Sequence, residues 1–357
     1  MGRYIIRRFL WMILVLFVVS AITFLLMHAI PGGPFDKEKP VSKEVLANLN
    51  ERYHLDEPLV AQYARYLGDI LVPRVSSTEP GTSLLDDALF NIPLGNKTWL
   101  KWMNFGPSYT SRSRTVNDIF RDQLPISAQL GTMSLIIAVL IGLPLGILAA
   151  LKQNTILDYL GMSVAIMGVS VPVIVLGPIL VWIFGVSLKW LPPTGWGVKP
   201  PFVMGIFPSE ISPDFFKYAI MPSFALGFGS SAIIARLTRA SLLQVIREDY
   251  IRTARAKGLT ERRVLYGHVF RNAMLIVIGG FPRALVAILF TSSILIEVIF
   301  SLDGLGLLGF EAAINRDYPV MLGSLFVFSL IGLLLHLISD LTYTWVDPRI
   351  DFDRREV

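Results

Sequence analysis

Six stretches of the sequence are each long and apolar enough to cross a lipid bilayer as a helix. A membrane-spanning helix needs about 20 consecutive, mostly apolar residues. The chain has 357 residues, of which 53% are hydrophobic and only 17% are charged, whereas soluble domains have about 25% charged residues. The sequence therefore predicts an all-α integral membrane protein with six transmembrane helices, at residues 9–30, 126–151, 157–186, 218–235, 274–300 and 319–341.

The charged residues between these stretches predict how the chain is oriented. Arg3, Arg7 and Arg8 precede the first span, and positive charge accumulates on the cytoplasmic side of membrane proteins. Segment 31–125 has 11 Lys and Arg residues against 12 Asp and Glu, whereas segment 236–273 has nine against three. We therefore expect both termini and segment 236–273 to lie in the cytoplasm, with segment 31–125 outside. This orientation accounts for the basic charge without a nucleic-acid partner.

The sequence lacks the motifs of several kinds of catalytic site. It has no cysteine, no G-x-x-x-x-G-K-[ST] phosphate loop and no H-E-x-x-H zinc motif. Its four histidines are scattered, so we predict no metal site and no catalytic residue. Few ionisable residues fall inside the spans. Of these, Arg283 is the best candidate to line a polar path, whereas Glu297 and Asp340 are expected to reach the interfaces.

Residues 249–259 are the most informative cytoplasmic stretch. They predict one short helix with few large apolar residues, in which Ala254 and Gly258 share a face that a partner's backbone can approach closely. Gly258 suits the C-terminus of this helix, and the next helix is expected to begin near Thr260. A helix so short and polar is poorly stable alone, which favours docking into another protein.

This stretch resembles the coupling loop of permease subunits in ABC importers, whose pattern is E-A-A-x3-G. Ala254 and Gly258 match the last Ala and the Gly, while Arg252 and Thr253 occupy the positions of the Glu and the first Ala. The form R-T-A-R-A-K-G-L is the one that the peptide-importing branch shows. The resemblance implies a contact with the ATPase subunits through Tyr250, Arg252, Thr253, Ala254, Ala256, Lys257, Gly258 and Leu259.

Further motifs along nearly the whole chain are similar to those of oligopeptide and dipeptide permease B-type subunits. The match leaves out residues 71–103, which we interpret as an insertion, and residues 71–110 are expected to form loops with short turns. The matching motifs are Y-I-I-R-R at 4–8, A-I-P-G-G-P at 29–34, Y-H-L-D-E-P at 53–58, F-G-P-S at 105–108, N-R-D-Y at 315–318 and D-P-R at 347–349.

The resemblance implies a type I ABC importer fold in four parts. Residues 1–30 are the cytoplasmic N-terminus and first transmembrane helix, and 31–125 are a periplasmic or extracellular segment between helices 1 and 2. Residues 126–345 form the core permease domain with helices 2–6, which includes the coupling loop 236–273. Residues 346–357 are a cytoplasmic tail.

The function that this resemblance implies is that of a transmembrane subunit of an ATP-driven importer. It would carry oligopeptides across the cytoplasmic (inner) membrane of a bacterium. The expected partners are a second permease subunit, two ATPase subunits, an extracytoplasmic peptide-binding protein and the peptide. ATP and magnesium would bind to the ATPase subunits, so we expect no cofactor in this chain and no enzymatic activity of its own.

Two points are left open by the sequence. The Gly-rich loop with Asp303, Gly304 and Gly306 is expected to be external, and it is either a plain tight turn or a contact with the binding protein. The cargo could instead be dipeptides, nickel chelates or other small solutes of the same family. A protein of another class, an ion-coupled secondary carrier, would need buried carboxylates near the centre of the membrane, of which the sequence offers no clear set.

Overall fold

The computed structural model describes residues 2–35, 42–83, 86–95, 97–111, 113–198, 202–203, 207–208, 213–291 and 293–346. In this part, four helices are long and apolar enough to cross a membrane, and two bent helix pairs raise the number to six if each pair is one span. A helical membrane protein is therefore what the structure supports, while the exact number of six spans stays a prediction. The tail 347–357, which holds the D-P-R motif, lies outside the described residues.

The described elements alternate long membrane helices with short connecting ones. The strands are β1 (Arg74–Ser76), β2 (Phe90–Gly95), β3 (Thr98–Trp102), β4 (Phe202–Val203) and β5 (Phe207–Pro208). The helices are α1 (Gly2–Ala29), α2 (Lys43–Arg52), α3 (Leu59–Leu71), α4 (Val116–Leu151), α5 (Ile156–Ser170), α6 (Val173–Leu180), α7 (Pro213–Ile246), α8 (Asp249–Ala256), α9 (Glu261–Val264), α10 (Arg271–Thr291), α11 (Ser293–Phe300), α12 (Leu305–Asn315) and α13 (Tyr318–Val346).

The third predicted span is broken in the middle. The stretch 157–186 forms α5, then α6 and a π-helical turn, and the two halves meet at 99°. The break lies at Val171 and Pro172, which both have extended backbone angles. Proline lacks an N–H and disfavours a helical conformation in the residue before it, which explains why the helix stops there.

Helices α4 and α7 are packed against each other through glycine. A Cβ atom added to Gly142 would lie 2.4 Å from the carbonyl oxygen of Ser231, and one added to Gly146 would lie 2.6 Å from that of Ala235. On the other helix, a Cβ on Gly227 would lie 2.4 Å from the carbonyl oxygen of Ser134. Small residues at such positions let two helix backbones approach closely, which is the usual way that helices associate inside a membrane.

Part of segment 31–125 is a β-sheet, so the prediction of loops for residues 71–110 is wrong. Strand β3 pairs antiparallel with both β1 and β2. On one face Lys101 is buried and donates from Nζ to the backbone carbonyl of Asp86 at 2.6 Å. The other face is apolar and mostly exposed, and it consists of Val75, Phe90, Ile92, Leu100 and Trp102. Proline and glycine in β2 suggested a loop, but an edge strand tolerates both.

Segment 31–125 is tied to the start of α13 by one aspartate. Asp317 accepts hydrogen bonds from the Ser108 hydroxyl at 2.5 Å and from the backbone N–H groups of Tyr109 and Thr110 at 3.1 and 3.0 Å. Asp317 is 3% exposed, so these bonds are made away from water and hold the chain firmly. Two of the motifs singled out from the sequence, F-G-P-S and N-R-D-Y, therefore meet in space.

Candidate functional site

Helix α8 has one buried face and one exposed face. Ile251 is fully buried and Ala254 is 7% exposed. Both belong to an apolar cluster, here called the coupling cluster, which also contains Ala150, Leu242, Val245, Val264, Val269 and Ala273. These residues come from the ends of α4, α7 and α9, the start of α10 and the segment between α9 and α10. The inner face of α8 therefore packs on the ends of three long helices.

The end of α8 is built around Gly258. The Gly258 N–H donates to the Arg255 carbonyl at 2.9 Å, and the Leu259 N–H donates to the Ala254 carbonyl at 3.4 Å. Gly258 has a φ of +77°. This is the hydrogen-bond pattern of a Schellman motif, in which glycine takes the left-handed position after the helix. The predicted role of Gly258 as a helix terminator, followed by a helix that begins at Glu261, is confirmed.

Ala254 and Gly258 do not share a face, contrary to the prediction, while docking of a partner at either residue stays a prediction. Ala254 faces the coupling cluster, whereas Gly258 is exposed and a Cβ added to it would meet no atom within 4 Å. Within this chain, glycine is needed at this position for its positive φ rather than for a close contact. A spacing of four residues puts two side chains on one face only within a helix, and here the backbone leaves the helical path after the last turn of α8.

The other predicted coupling residues form the outer surface of α8. Tyr250, Arg252, Thr253, Ala256 and Lys257 are exposed, and Leu259 is half-buried. The side chains near the start of the helix are held in place: the Asn272 amide donates to the Tyr250 hydroxyl at 2.7 Å, and Arg252 lies 3.3 Å from Asp249. Near the end of the helix, Ala256 and Lys257 form an exposed surface.

An ion pair that the sequence did not reveal joins α8 to α9. The Arg255 guanidinium donates from Nε and Nη2 to the two carboxylate oxygens of Glu261, at 3.1 and 2.7 Å. The hydrogen bond from Arg255 holds the pKa of the Glu261 carboxyl below its usual range. Arg255 and Glu261 are six residues apart and lie on different helices, so the helical spacing of charges in the sequence does not reveal this pair. It links the two short helices across the turn at Gly258.

A second ion pair joins α5 to α7. Arg239 donates from Nε and Nη2 to the two oxygens of Asp158, at 2.8 and 2.7 Å, and the Asn154 N–H donates to the same carboxylate at 3.0 Å. Asp158 is 3% exposed. A two-pronged contact of this kind fixes geometry as well as adding stability. Together with the coupling cluster, it makes the ends of α4, α5, α7 and α10 one connected unit.

The turn between α11 and α12 is built on Glu297. The Glu297 carboxyl is fully buried and accepts from the Ser127 hydroxyl at 2.7 Å and from the Leu307 N–H at 2.9 Å. Glu297 is therefore enclosed by the protein and is not exposed at its surface. A Cβ on Gly304 would lie 2.5 Å from the Glu297 carboxyl carbon, and one on Gly306 would lie 2.8 Å from its Oε2. The chain makes a tight turn here that begins α12, while a contact of this turn with the binding protein stays a prediction.

The remaining candidate residues have different surroundings. Asp303 is exposed, whereas its neighbours Gly304 and Gly306 are buried. Arg283 lies in α10, and its side chain is outside the described part of the structure. Asp340 accepts a hydrogen bond from the Tyr4 hydroxyl at 3.0 Å and pairs with Arg8 at 3.0 Å, which joins α13 to α1. Among the described residues, no group of three His, Cys, Asp or Glu residues is placed to hold a metal ion.

Comparison with known proteins gives the family. Residues 142–352 match the family described as the binding-protein-dependent transport system inner membrane component, and residues 1–83 match its N-terminal family. The chain belongs to this family. The first match contains the coupling cluster, both ion pairs and the turn at Glu297, whereas Ser127, which donates to Glu297, lies before it.

Relatives of this permease match it from end to end. The peptidoglycan transport system permease protein of Agrobacterium fabrum is 39% identical and covers 100% of both chains. The dipeptide transport system permease protein of Bacillus subtilis is 37% identical, and the oligopeptide transport system permease protein of Salmonella typhimurium is 36% identical. Each of these two covers 99% of this chain and 100% of its own. This protein is therefore an ABC transporter permease of the peptide-transporting kind.

The ion pair of this permease at α8 gives a prediction with a defined pH dependence. A carboxyl whose pKa is lower in the folded state contributes stability above its unfolded pKa and loses it as the pH falls through the folded pKa. We therefore expect Glu261→Gln to speed hydrogen exchange of the α8 amides at neutral pH, by at most about fivefold because exposed ion pairs are weak. At a pH below the folded pKa of Glu261, wild type and variant should exchange alike.

The control for this measurement is Glu44→Gln, which removes an exposed carboxylate from α2. Mass spectrometry of exchanged peptides reads both variants in the same preparation. An effect of Glu261→Gln that is equally large at neutral and acidic pH would contradict the prediction, because it would not depend on the ionised carboxylate of Glu261.

Proposed function

We propose that this permease is one of two membrane subunits of an ATP-driven type I importer that carries oligopeptides into the cell. The observation that supports it best is the construction of α8: its inner face packs on the ends of α4, α7 and α10, while its outer face is exposed. A partner that moves α8 would therefore move the membrane helices with it, because the coupling cluster is closely packed and transmits displacement.

The proposed partners follow from the chemistry that this chain lacks. It has no phosphate-binding loop, so ATP and magnesium bind in two separate ATPase subunits and this chain needs no cofactor. A second permease completes the path, and an extracytoplasmic binding protein delivers the peptide. The N- and C-termini and segment 236–273 lie in the cytoplasm, as the excess of basic residues in that segment favours.

Oligopeptides are the cargo that we propose, with dipeptides, nickel chelates and other small solutes as alternatives. The relatives are named for the transport of peptidoglycan, dipeptides and oligopeptides, and all of these names describe peptide-containing compounds. An uptake assay with a dipeptide and a longer peptide of the same composition separates the first two possibilities. An ion-coupled secondary carrier would instead take up its solute without ATPase subunits.

Three further roles belong to the proposal. Exposed Asp303 contacts the binding protein, while buried Gly304 and Gly306 shape the turn that presents it. Arg283 lines the translocation path. The apolar outer face of the β-sheet, within the predicted insertion 71–103, widens the surface on which the binding protein docks.

The test of the proposed function uses the open surface at the end of α8. Ala256 is exposed, and a tryptophan there blocks the approach of a partner without entering the coupling cluster. We expect Ala256→Trp to abolish the co-purification of the ATPase subunits and to lower ATP-dependent peptide uptake by more than about tenfold, since a misplaced ring at a packed interface costs over about 1.4 kcal/mol.

The matched control is Ala47→Trp, which places the same side chain on exposed helix α2, in segment 31–125. Both variants carry the same small loss of helix propensity, about 0.5 kcal/mol. Co-purified proteins are identified by mass spectrometry, and uptake is measured in proteoliposomes. If Ala256→Trp imports peptide as well as Ala47→Trp does, α8 is not the docking element. Uptake by the chain alone, driven by an ion gradient, would support the secondary carrier.

A further inference from the structure

The first turn of helix α5 is held on α7 by a carboxylate rather than by apolar packing. In this turn Ile156, Leu157 and Tyr159 are all exposed, whereas Asp158 is buried. The Asp158 carboxylate makes the two-pronged contact with Arg239 of α7. A helix normally turns its apolar residues toward the neighbour on which it packs, but here the residue turned inward is the charged one. The ion pair is therefore what attaches this turn to α7.

The Asp158 carboxylate joins three segments at one point. It belongs to α5, it accepts two hydrogen bonds from the Arg239 guanidinium of α7, and it accepts one from the backbone N–H of Asn154. Asn154 lies in the connection 152–155 between α4 and α5. The position of α5 is therefore fixed both on α7 and relative to the end of α4.

This attachment lies next to the coupling cluster. Helix α5, which the structure describes in full, contributes no residue to that cluster. Arg239 lies about one turn before Leu242, which does belong to it. Further along α5, a Cβ atom on Gly168 would lie 2.5 Å from the Phe228 carbonyl oxygen of α7. A displacement of the coupling cluster therefore reaches α5 by way of α7, and at the start of α5 it passes through Asp158.

A buried ion pair fixes the relative position of two helices better than it stabilises them. The cost of removing two charges from water offsets most of their attraction, and well-packed apolar residues in their place are often equally stabilising. Apolar attraction has no preferred direction, whereas two parallel hydrogen bonds set distance and direction together. The chemistry of this contact therefore favours a positioning role over a purely stabilising one.

We propose that Asp158 and Arg239 are positioning residues for transport, which make α5 move together with α7 when a partner displaces α8. Movement of α5 also moves the bend at Val171 and Pro172, and with it α6. The role of the pair is to transmit movement, and it involves no contact with peptide or ATP. This inference rests on the proposed function, because it needs an ATPase subunit that displaces α8.

The variant that tests this role replaces both charges at once, with Asp158→Leu and Arg239→Met in the same chain. Either substitution alone would leave a buried charge without its partner and would destabilise the protein. The double variant should unfold close to the wild-type temperature. In proteoliposomes with all the proposed subunits, its ATP hydrolysed per peptide imported should rise about tenfold, the effect of losing one charge-assisted hydrogen bond.

Two outcomes of this experiment would contradict the proposal. A large fall in the unfolding temperature, or a failure of the double variant to fold, would show that the pair serves to stabilise the protein. An unchanged ratio of ATP hydrolysed to peptide imported would show that the pair does not carry movement to α5.

A conservative variant and a control accompany the double variant. Arg239→Lys keeps both charges but loses the planar fork of the guanidinium, so its ratio should rise only about threefold, half of the same free energy. The control is Asp214→Leu with Lys217→Met, which removes an exposed ion pair of 2.8 Å within α7 itself. Its ratio should equal that of wild type. An equal rise in the control would contradict a role specific to the contact with α5.

The position of α5 on α7 can be measured on this chain without ATPase subunits. The sequence has no cysteine, so spin labels attach only at Leu160→Cys in α5 and Gln244→Cys in α7, two exposed positions. Double electron–electron resonance in lipid nanodiscs should give a narrow distance distribution when the ion pair is present. The double variant should give a broader or shifted one, and identical distributions would overturn the proposal.

The failure of this inference can be told from the failure of the proposed function. If Ala256→Trp leaves ATP-dependent uptake unchanged, the proposed function fails and the positioning role fails with it. If Ala256→Trp blocks uptake while the double variant at Asp158 and Arg239 imports with the wild-type ratio, the importer stands and only the positioning role fails.

Discussion

Replacing Gly142 with alanine should destabilise the whole membrane domain. The added methyl group would lie 2.4 Å from the carbonyl oxygen of Ser231 and 2.9 Å from the Cβ of Ile234. Both are held by α7, and a backbone carbonyl cannot turn aside as a flexible side chain can. The two helices must therefore separate. We expect the free energy of unfolding to fall by about 3 kcal/mol, the upper part of the usual range for overpacked sites.

The matched control is Gly68→Ala in α3. Gly68 is also a helical glycine, but a Cβ on it would meet no atom within 4 Å. Alanine is the better helix former by about 1 kcal/mol, so this variant should be as stable as wild type or slightly more stable. Thermal unfolding in one detergent, followed by tryptophan fluorescence, compares the two. Equal midpoints for Gly142→Ala and Gly68→Ala would contradict the close approach of α4 and α7.

The contrast between these two glycines marks a limit of what the sequence could predict. Both stand in helices, and nothing in the local pattern says that one meets a neighbouring backbone and the other meets solvent. The long apolar stretches predicted the membrane helices because length and hydropathy are local properties. Contacts between helices depend on which elements come together, and the sequence of one chain does not state that.

Residues 249–261 show the same contrast between local properties, which the sequence predicts, and contacts between helices, which it does not. The end of α8 at Gly258 was predictable, since a positive φ after a helix is the usual reason for glycine there. The direction in which Ala254 points was not, because it depends on the coupling cluster, whose members outside α8 come from α4, α7, α9, α10 and the segment between α9 and α10. The ion pair between Arg255 and Glu261 likewise requires two short helices to turn back on each other.

A proline and a buried carboxyl account for the other differences between the predictions from the sequence and the structure. The bend between α5 and α6 was missed although Pro172 lies in the middle of the stretch, because membrane helices tolerate many prolines and composition outweighed position. Glu297 was placed near an interface since a carboxyl is costly inside a membrane. The structure meets that cost with donors from Ser127 and from the start of α12, which only the folded chain brings together.

Glu297 is therefore expected to be essential to the turn that starts α12. Glu297→Ala removes the acceptor of the Ser127 hydroxyl and of the Leu307 N–H, and it leaves a void beside Gly304. Each buried donor left without a partner costs about 1–3 kcal/mol. We expect the free energy of unfolding to fall on the order of 3 kcal/mol, with a lower yield of folded protein in the membrane.

Two further variants show whether the effect comes from the hydrogen bonds of Glu297. Glu297→Gln keeps the shape and one acceptor oxygen but turns an NH₂ group toward a donor. Its free energy of unfolding should therefore fall by about half as much as that of Glu297→Ala. Glu311→Ala is the control, since it removes an exposed carboxylate from α12 itself. If thermal unfolding gives the same midpoint for Glu297→Ala and Glu311→Ala, Glu297 does not hold the turn. Intermediate stability of Glu297→Gln would instead tie the effect to hydrogen bonding, because the side-chain volume is unchanged.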